Sequence, residues 1–79
     1  MNKNEKIINF HAAGDIEEFV CAADDCDFDI DVYYNKMMID AKSILAMLAI
    51  GCHKNLVIRY GGCNERFEKV VAKFAGVSG

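Results

Sequence analysis

The chain has 79 residues, 53% of them hydrophobic and 27% charged, a composition that excludes a disordered chain and leaves room for one folded core but not two. Its formal net charge is −3 at pH 7, and its Lys and Arg residues are scattered, which argues against nucleic acid as a partner. No apolar run approaches the roughly 20 residues that span a bilayer, and the polar residues 1–6 do not begin a signal peptide, so we expect one cytoplasmic domain over residues 1–79 with no membrane partner.

The four cysteines do not form a recognisable framework. They are Cys21, Cys26, Cys52 and Cys63. None of them is in C-x-x-C spacing, and their spacing to His11 and His53 does not suggest a metal site. We therefore expect reduced, mostly buried thiols, with no metal ion and no cofactor.

The chain begins with a strand and a helix. Residues 6–10 are predicted to form a short strand with Ile8 and Phe10 on one face. A helix then begins, with Asp15 as its predicted N-cap and Glu18 completing a capping-box pattern. The apolar residues of this helix repeat at the spacing of one helical face, and they are Ile16, Phe19, Val20 and Ala23.

A β-hairpin follows. From Phe28 to Tyr34, apolar and polar residues alternate, which predicts a strand with one solvated face. Asn35 and Lys36 are predicted to form the turn, because Asn tolerates a positive φ. Residues 37–40 resume an extended pattern, so they should pair with the first arm of the hairpin.

The last three elements are a helix, a strand and a helix. Ser43 and Gly51 are the candidate N-cap and C-cap of a two-turn helix. Residues 56–60 alternate and predict a strand. Asn64 is the predicted N-cap of the final helix, which Gly76 ends. The apolar stripe of that helix consists of Phe67, Val70, Val71 and Phe74.

The predicted order of elements is therefore βαββαβα. Strands that alternate apolar and polar residues have one buried face, so the three helices should pack on the same side of the sheet. The sequence predicts an α+β open-faced β-sandwich, in which a four-stranded antiparallel sheet is covered on one face by three helices.

The second helix is the most informative element for function. Residues 44–52 carry no charge, and their apolar side chains are not confined to one stripe. We expect Ile44, Met47 and Leu48 to face the core and Leu45 and Ala49 to face solvent, which leaves an apolar patch for a protein partner. The alternative is that a small core wraps this helix more fully.

Two other residues are candidates for phosphorylation. A phosphate on Ser43 would meet free backbone amides and the positive end of a helix dipole, but the local pattern alone favours a plain capping role. His11 lies at a strand-to-helix turn, but Asp15, Glu17 and Glu18 would place negative charge near a phosphate there, and residues 7–35 contain no Lys or Arg. We therefore predict a solvated loop histidine. There is no glycine-rich phosphate loop and no H-E-x-x-H motif, so an enzyme is not expected.

One stretch resembles HPr, the histidine phosphocarrier of the bacterial sugar phosphotransferase system. Tyr34-Asn35-Lys36 and the segment from Ala41 to Gly51 resemble the hairpin of that family and its Lys-Ser-Ile-Met-x-x-Met-x-Leu-Gly segment, with matching spacing from tyrosine to serine. The preceding residues that fall in register without a gap are Phe19, Ala23, Asp27, Asp29, Ile30 and Val32. The resemblance covers nearly the whole chain and is most specific from about residue 15 to residue 51.

The resemblance implies an HPr-like fold and protein partners. Ser43 matches the serine that HPr kinase modifies in many Gram-positive HPr proteins, and Lys42 is its usual neighbour. Ile44, Leu45 and Leu48 match the apolar surface by which HPr docks onto Enzyme I, enzyme II subunits and transcriptional regulators.

The chain departs from the family at the phosphohistidine. HPr carries His-Ala-Arg-Pro at the start of its first helix, whereas the ungapped register puts Ala12 at the histidine and Gly14 and Asp15 at the arginine and proline. His11 matches only if the register slips by one residue. We therefore expect a degenerate HPr-like protein that acts by binding, with its state set at Ser43. The alternatives are a working phosphocarrier that uses His11, and a plain interaction module, monomeric or weakly homodimeric, in which phosphorylation plays no part.

Overall fold

The computed structural model describes residues 4–75, and within them the chain forms four strands and three helices in the order βαββαβα. The elements are β1 (Asn4–Ile8), α1 (Ala13–Asp24), β2 (Ile30–Tyr34), β3 (Met37–Asp40), α2 (Ile44–Ile50), β4 (Leu56–Tyr60) and α3 (Glu65–Ala75). No helix of this part of the chain is long and apolar enough to cross a bilayer.

The strands form one antiparallel sheet in the order β1-β4-β2-β3. β4 is the last strand in the sequence but lies inside the sheet, paired with β1 on one side and with β2 on the other. β3 pairs with β2 through the predicted hairpin. Every strand pair of the described sheet is antiparallel, as the sequence predicted.

The core lies between one face of this sheet and the helices. Ile30, Val32 and Ile58 project from the covered face and are buried. The helices contribute their apolar stripes to the same core, including Ile16, Phe19, Met47, Phe67 and Val71. The opposite face of the sheet bears exposed side chains, so the predicted α+β open-faced sandwich is confirmed.

Turns and helix ends agree with several predictions. Asn35 has a φ of 56° in the hairpin turn, and Gly51 has a φ of 85° where α2 ends. The side-chain oxygen of Asn64 accepts a hydrogen bond of 3.0 Å from the backbone N–H of Phe67, so Asn64 caps α3. The predicted end of α3 at Gly76 lies outside the described residues.

The prediction of Asp15 as an N-cap is wrong. α1 begins at Ala13, its N-cap is Ala12, and Asp15 is in the first helical turn. The Asp15 carboxylate reaches back and accepts hydrogen bonds from the backbone N–H groups of His11 and Ala12, at 3.0 and 3.2 Å. A carboxylate can satisfy amides at a helix start from inside the first turn as well as from the cap position.

Two strand boundaries also differ from the predicted ones. β1 spans residues 4–8 rather than 6–10, because it pairs with the five residues of β4. β2 begins at Ile30 rather than Phe28, since Ile30 is opposite Tyr60, the last residue of β4. Phe28 instead stacks on the Tyr60 ring, with ring centroids 6.0 Å apart.

The prediction of mostly buried thiols is wrong. All four cysteines lie in the described part of the chain and are free, but Cys21 and Cys63 are exposed and Cys52 is half-buried. Only Cys26 is buried, and its burial raises the pKa of its thiol above the ordinary value. Cysteine occurs at both buried and exposed positions of this fold, so residue identity alone did not predict the exposure of each thiol.

Candidate functional site

Helix α2 leaves much of its apolar surface uncovered. Met47 and Ile50 are buried, whereas Leu45 is 79% exposed, Leu48 38% and Ile44 36%. A helix of seven residues that lies against the rest of the protein can bury only one stripe. The expectation that Ile44 and Leu48 face the core is therefore wrong, and both join Leu45 in an exposed surface that we call the α2 patch.

Ser43 holds the start of α2 next to this patch. Its backbone is extended, and its hydroxyl oxygen accepts a hydrogen bond of 3.4 Å from the N–H of Ala46. Its own N–H donates to the carbonyl of Asp40 at 3.0 Å. Ser43 is therefore the N-cap that the sequence predicted, half-buried at the edge of the α2 patch.

Lys42 precedes Ser43, but its ammonium group is bound to the segment that follows α1 rather than to Ser43. Its ammonium group donates a hydrogen bond of 2.8 Å to the carbonyl of Cys26, just beyond the end of α1. Its backbone N–H donates to the Asp40 carboxylate at 2.9 Å. Both contacts brace the short connection into α2, so the orientation of Ser43 depends on α1 as well as on the hairpin.

The start of α1 is the position at which the resemblance to HPr would place a phosphohistidine. Ala12 occupies the N-cap there, with an extended backbone and only a methyl side chain. The Asp15 carboxylate lies at the same helix end and already accepts hydrogen bonds from two backbone N–H groups. A fixed negative charge therefore stands where a phosphoryl group would need hydrogen-bond donors and positive charge.

His11 and His53 meet between the start of α1 and the loop that follows α2. Both are exposed, and their ring centroids are 5.9 Å apart at an interplanar angle of 68°. His53 has a positive φ of 62°, and its N–H donates to the carbonyl of Phe10 at 2.8 Å. This backbone contact joins two segments that are far apart in the sequence, which is why no local pattern indicated the pair.

Within residues 4–75, no three His, Cys, Asp or Glu side chains converge so as to hold a metal ion. The structure brings together exposed features instead: the α2 patch with Ser43 at its edge, and His11 beside His53. Comparisons of the chain with protein-family models, with curated proteins and with solved structures found no match.

Proposed function

We propose that this chain is a divergent HPr-like protein that binds a protein partner through the α2 patch, with Ser43 as a phosphorylation site that controls the binding. The observation that carries the proposal is an exposed apolar surface that begins directly after a capping serine. The resemblance of residues 34–51 to HPr supplies the partner class, which is Enzyme I, an enzyme II subunit or a transcriptional regulator.

The α2 patch supports binding because its burial would be favourable. Fully burying a leucine side chain stabilises a complex by about 1.5–3 kcal/mol, and Leu45 is the most exposed large apolar side chain of the described residues. A short helix that offers adjacent apolar side chains fits a groove on another protein. The patch lies on regular structure and needs little ordering before it binds.

Phosphorylation of Ser43 would act on this patch without disrupting the fold. A phosphate adds about −1.5 to −2 charges at pH 7 and would stand at the positive end of the α2 dipole. The same charge would lie next to Ile44, the first residue of the patch. Partner affinity would therefore change while the stability of the chain would not fall.

The start of α1 supports the loss of the phosphocarrier role. Ala12 has no side-chain atom that can accept a phosphoryl group. A phosphoryl group on His11 would lie near the carboxylate of Asp15, which bonds the His11 backbone N–H, and like charges at that range repel. This helix end is therefore unsuited to phosphoryl transfer, which leaves protein binding as the proposed role of the chain.

The first test is phosphorylation followed by intact mass. The protein is incubated with Enzyme I and phosphoenolpyruvate in one reaction and with HPr kinase and ATP in another, alongside His11→Ala and Ser43→Ala. A single phosphate gained only with the kinase, and lost in Ser43→Ala, is the expected result. A phosphate gained with Enzyme I and lost in His11→Ala would overturn the proposal. No gain in either reaction would show that Ser43 is not a phosphorylation site and would leave only binding through the α2 patch.

A second test rebuilds the missing motif. Ala13 already matches the alanine of His-Ala-Arg-Pro, so Ala12→His, Gly14→Arg and Asp15→Pro complete it. Proline at position 15 removes the hydrogen bond of 3.0 Å from the Asp15 N–H to the carbonyl of Ala12 and the carboxylate that accepts from two backbone N–H groups, so circular dichroism must first show that the variant is folded. We expect this triple variant to accept a phosphate from Enzyme I, and a matched variant with Ala12→Gln in place of Ala12→His to accept none. A folded triple variant that Enzyme I does not label would count against the HPr relationship.

A further inference from the structure

The uncovered face of the sheet carries an unbroken row of apolar side chains. Ile7 is directly opposite Val57, Val57 is opposite Tyr33, and Tyr33 is opposite Met38. These four residues therefore lie side by side across all the strands of the described sheet, and we call them the apolar row. At its ends, Ile7 is 59% exposed and Met38 is 63% exposed.

A charged row runs beside the apolar row. Its members are Glu5, Arg59, Asp31 and Asp40, each opposite the next across neighbouring strands. They are two residues along each strand from the apolar row, so they lie on the same face. Arg59 forms an ion pair with Glu5, with its Nε 3.6 Å from the carboxylate oxygen, and its guanidinium lies 5.9 Å from the centre of the Tyr33 ring.

The charged row has three carboxylates and only one guanidinium, that of Arg59, which lies opposite both Glu5 and Asp31, so negative charge is in surplus at the Asp31 and Asp40 end of the row. The two residues are directly opposite each other in β2 and β3, an arrangement of like charges that destabilises a sheet. No ion pair among the described residues joins either carboxylate to a Lys or Arg side chain. One oxygen of Asp40 accepts the backbone N–H of Lys42, which neutralises neither charge.

We propose that this open face binds a basic amphipathic helix of a second protein. The apolar row has the spacing of strands, about 4.8 Å, and is therefore about 14 Å long. Successive turns of a helix repeat every 5.4 Å, so a helix laid along the row can set one apolar side chain on each strand. Lys or Arg on the flank of that helix would then stand over Asp31 and Asp40.

The negative charge of the open face favours a basic helix over a second copy of the chain. A second open face would bring the same surplus of carboxylates, together with an arginine that is already paired with Glu5. The proposal is independent of the function proposed above, because the α2 patch belongs to a helix on the covered side of the sheet. Partners could therefore occupy both surfaces at once.

The test uses a synthetic peptide that forms an amphipathic helix of Leu and Lys, titrated into the full chain labelled with ¹⁵N. We expect the largest amide shifts in β2 and β3. Asp31→Asn with Asp40→Asn should weaken binding about three- to tenfold, as expected for the loss of two exposed ion pairs. Met38→Ser should also weaken binding, since it removes one apolar contact.

The matched control is Glu17→Gln with Asp24→Asn, which makes the same charge change at exposed positions of α1. This pair should leave the affinity unchanged, and the same peptide with Glu in place of Lys should not bind. Equal weakening by both double variants, or shifts confined to α2, would overturn the proposal. So would concentration-dependent shifts of the open face without peptide, because the occupant would then be a second copy.

Discussion

The hydroxyl of Tyr60 donates a hydrogen bond of 2.7 Å to the carboxylate of Glu68, which joins the last strand to the last helix. Burial of Tyr60 raises the pKa of its phenol well above the ordinary value of 10.0, and the bond to Glu68 raises that pKa further. The neutral form is therefore strongly preferred in the folded protein.

This relationship predicts a pH dependence of stability. The folded pKa is raised, so the stabilisation is fully present below about pH 10 and is lost as the pH rises above it. Tyr60→Phe should flatten that alkaline decline in the free energy of unfolding, measured by urea titrations from neutral pH to about pH 11. At neutral pH, the variant should lose about 1 kcal/mol with the hydrogen bond. Tyr33→Phe, on the open face, should retain the alkaline decline. If it flattened the decline as much as Tyr60→Phe does, the decline could not be assigned to Tyr60.

The contact between Gly62 and Phe28 predicts a large effect of one methyl group. A Cβ at Gly62 would overlap the Phe28 ring, which stacks on Tyr60. Gly62→Ala should therefore destabilise the protein by about 1–3 kcal/mol. Gly14→Ala is the control, because a methyl group in that helical turn meets no described atom within 4 Å, and it should raise stability by up to about 1 kcal/mol. Similar midpoints of urea unfolding for the two variants would contradict this account.

Capping by Ser43 can be separated from its proposed regulation. Ser43→Ala removes the acceptor for the N–H of Ala46 and should lower the free energy of unfolding by about 0.5–1 kcal/mol. Ser43→Asp keeps an acceptor and adds a charge that the helix dipole favours, so its stability should match that of the wild type. A change in partner affinity in Ser43→Asp, with the urea midpoint unchanged, would therefore report on charge at the patch.

The α2 patch predicts a loss of binding without a loss of stability. Leu45 is mostly exposed, so Leu45→Asp should change the free energy of unfolding by no more than about 0.5 kcal/mol. The same change should abolish co-elution in size-exclusion chromatography with whichever of the proposed partners co-elutes with the wild type. Ala72→Asp, at an exposed position of α3, should leave co-elution intact. The homodimer alternative is tested by eluting the chain without a partner. If the α2 patch forms a homodimer, Leu48→Asp should elute later than the wild type, and monomeric elution of both would reject that alternative.

The thiols should react at distinct rates. Cys21 and Cys63 are exposed and should react first with a disulfide reagent at mildly alkaline pH. Cys26 should react last, because it is buried and its thiol has a raised pKa, which leaves little thiolate. The measurement is the time course of the reaction in folded protein, with denatured protein as the reference for all the cysteines. Rapid modification of Cys26 would show that the loop after α1 opens readily.

Patterns within one element were sufficient to predict the elements and the class of the fold. The alternation in residues 56–60 and the stripe that includes Phe67 and Val71 depend only on neighbouring residues, so they were visible in the sequence. The same is true of the caps at Ser43 and Asn64, where the donor and acceptor are three residues apart. The charge-free sequence of α2 predicted an exposed apolar patch and the exposure of Leu45, but it did not predict the exposure of Ile44 and Leu48.

Tertiary structure decided what depends on long-range pairing. The lengths of β1 and β2 were set by their partners in β4, and the contact of His11 with His53 arises from a backbone bond between distant segments. The apolar row and the opposed charges of Asp31 and Asp40 exist only because each strand has one register against the next. Local alternation determined which side chains share a face of a strand, and only the packed sheet determined which of them became neighbours.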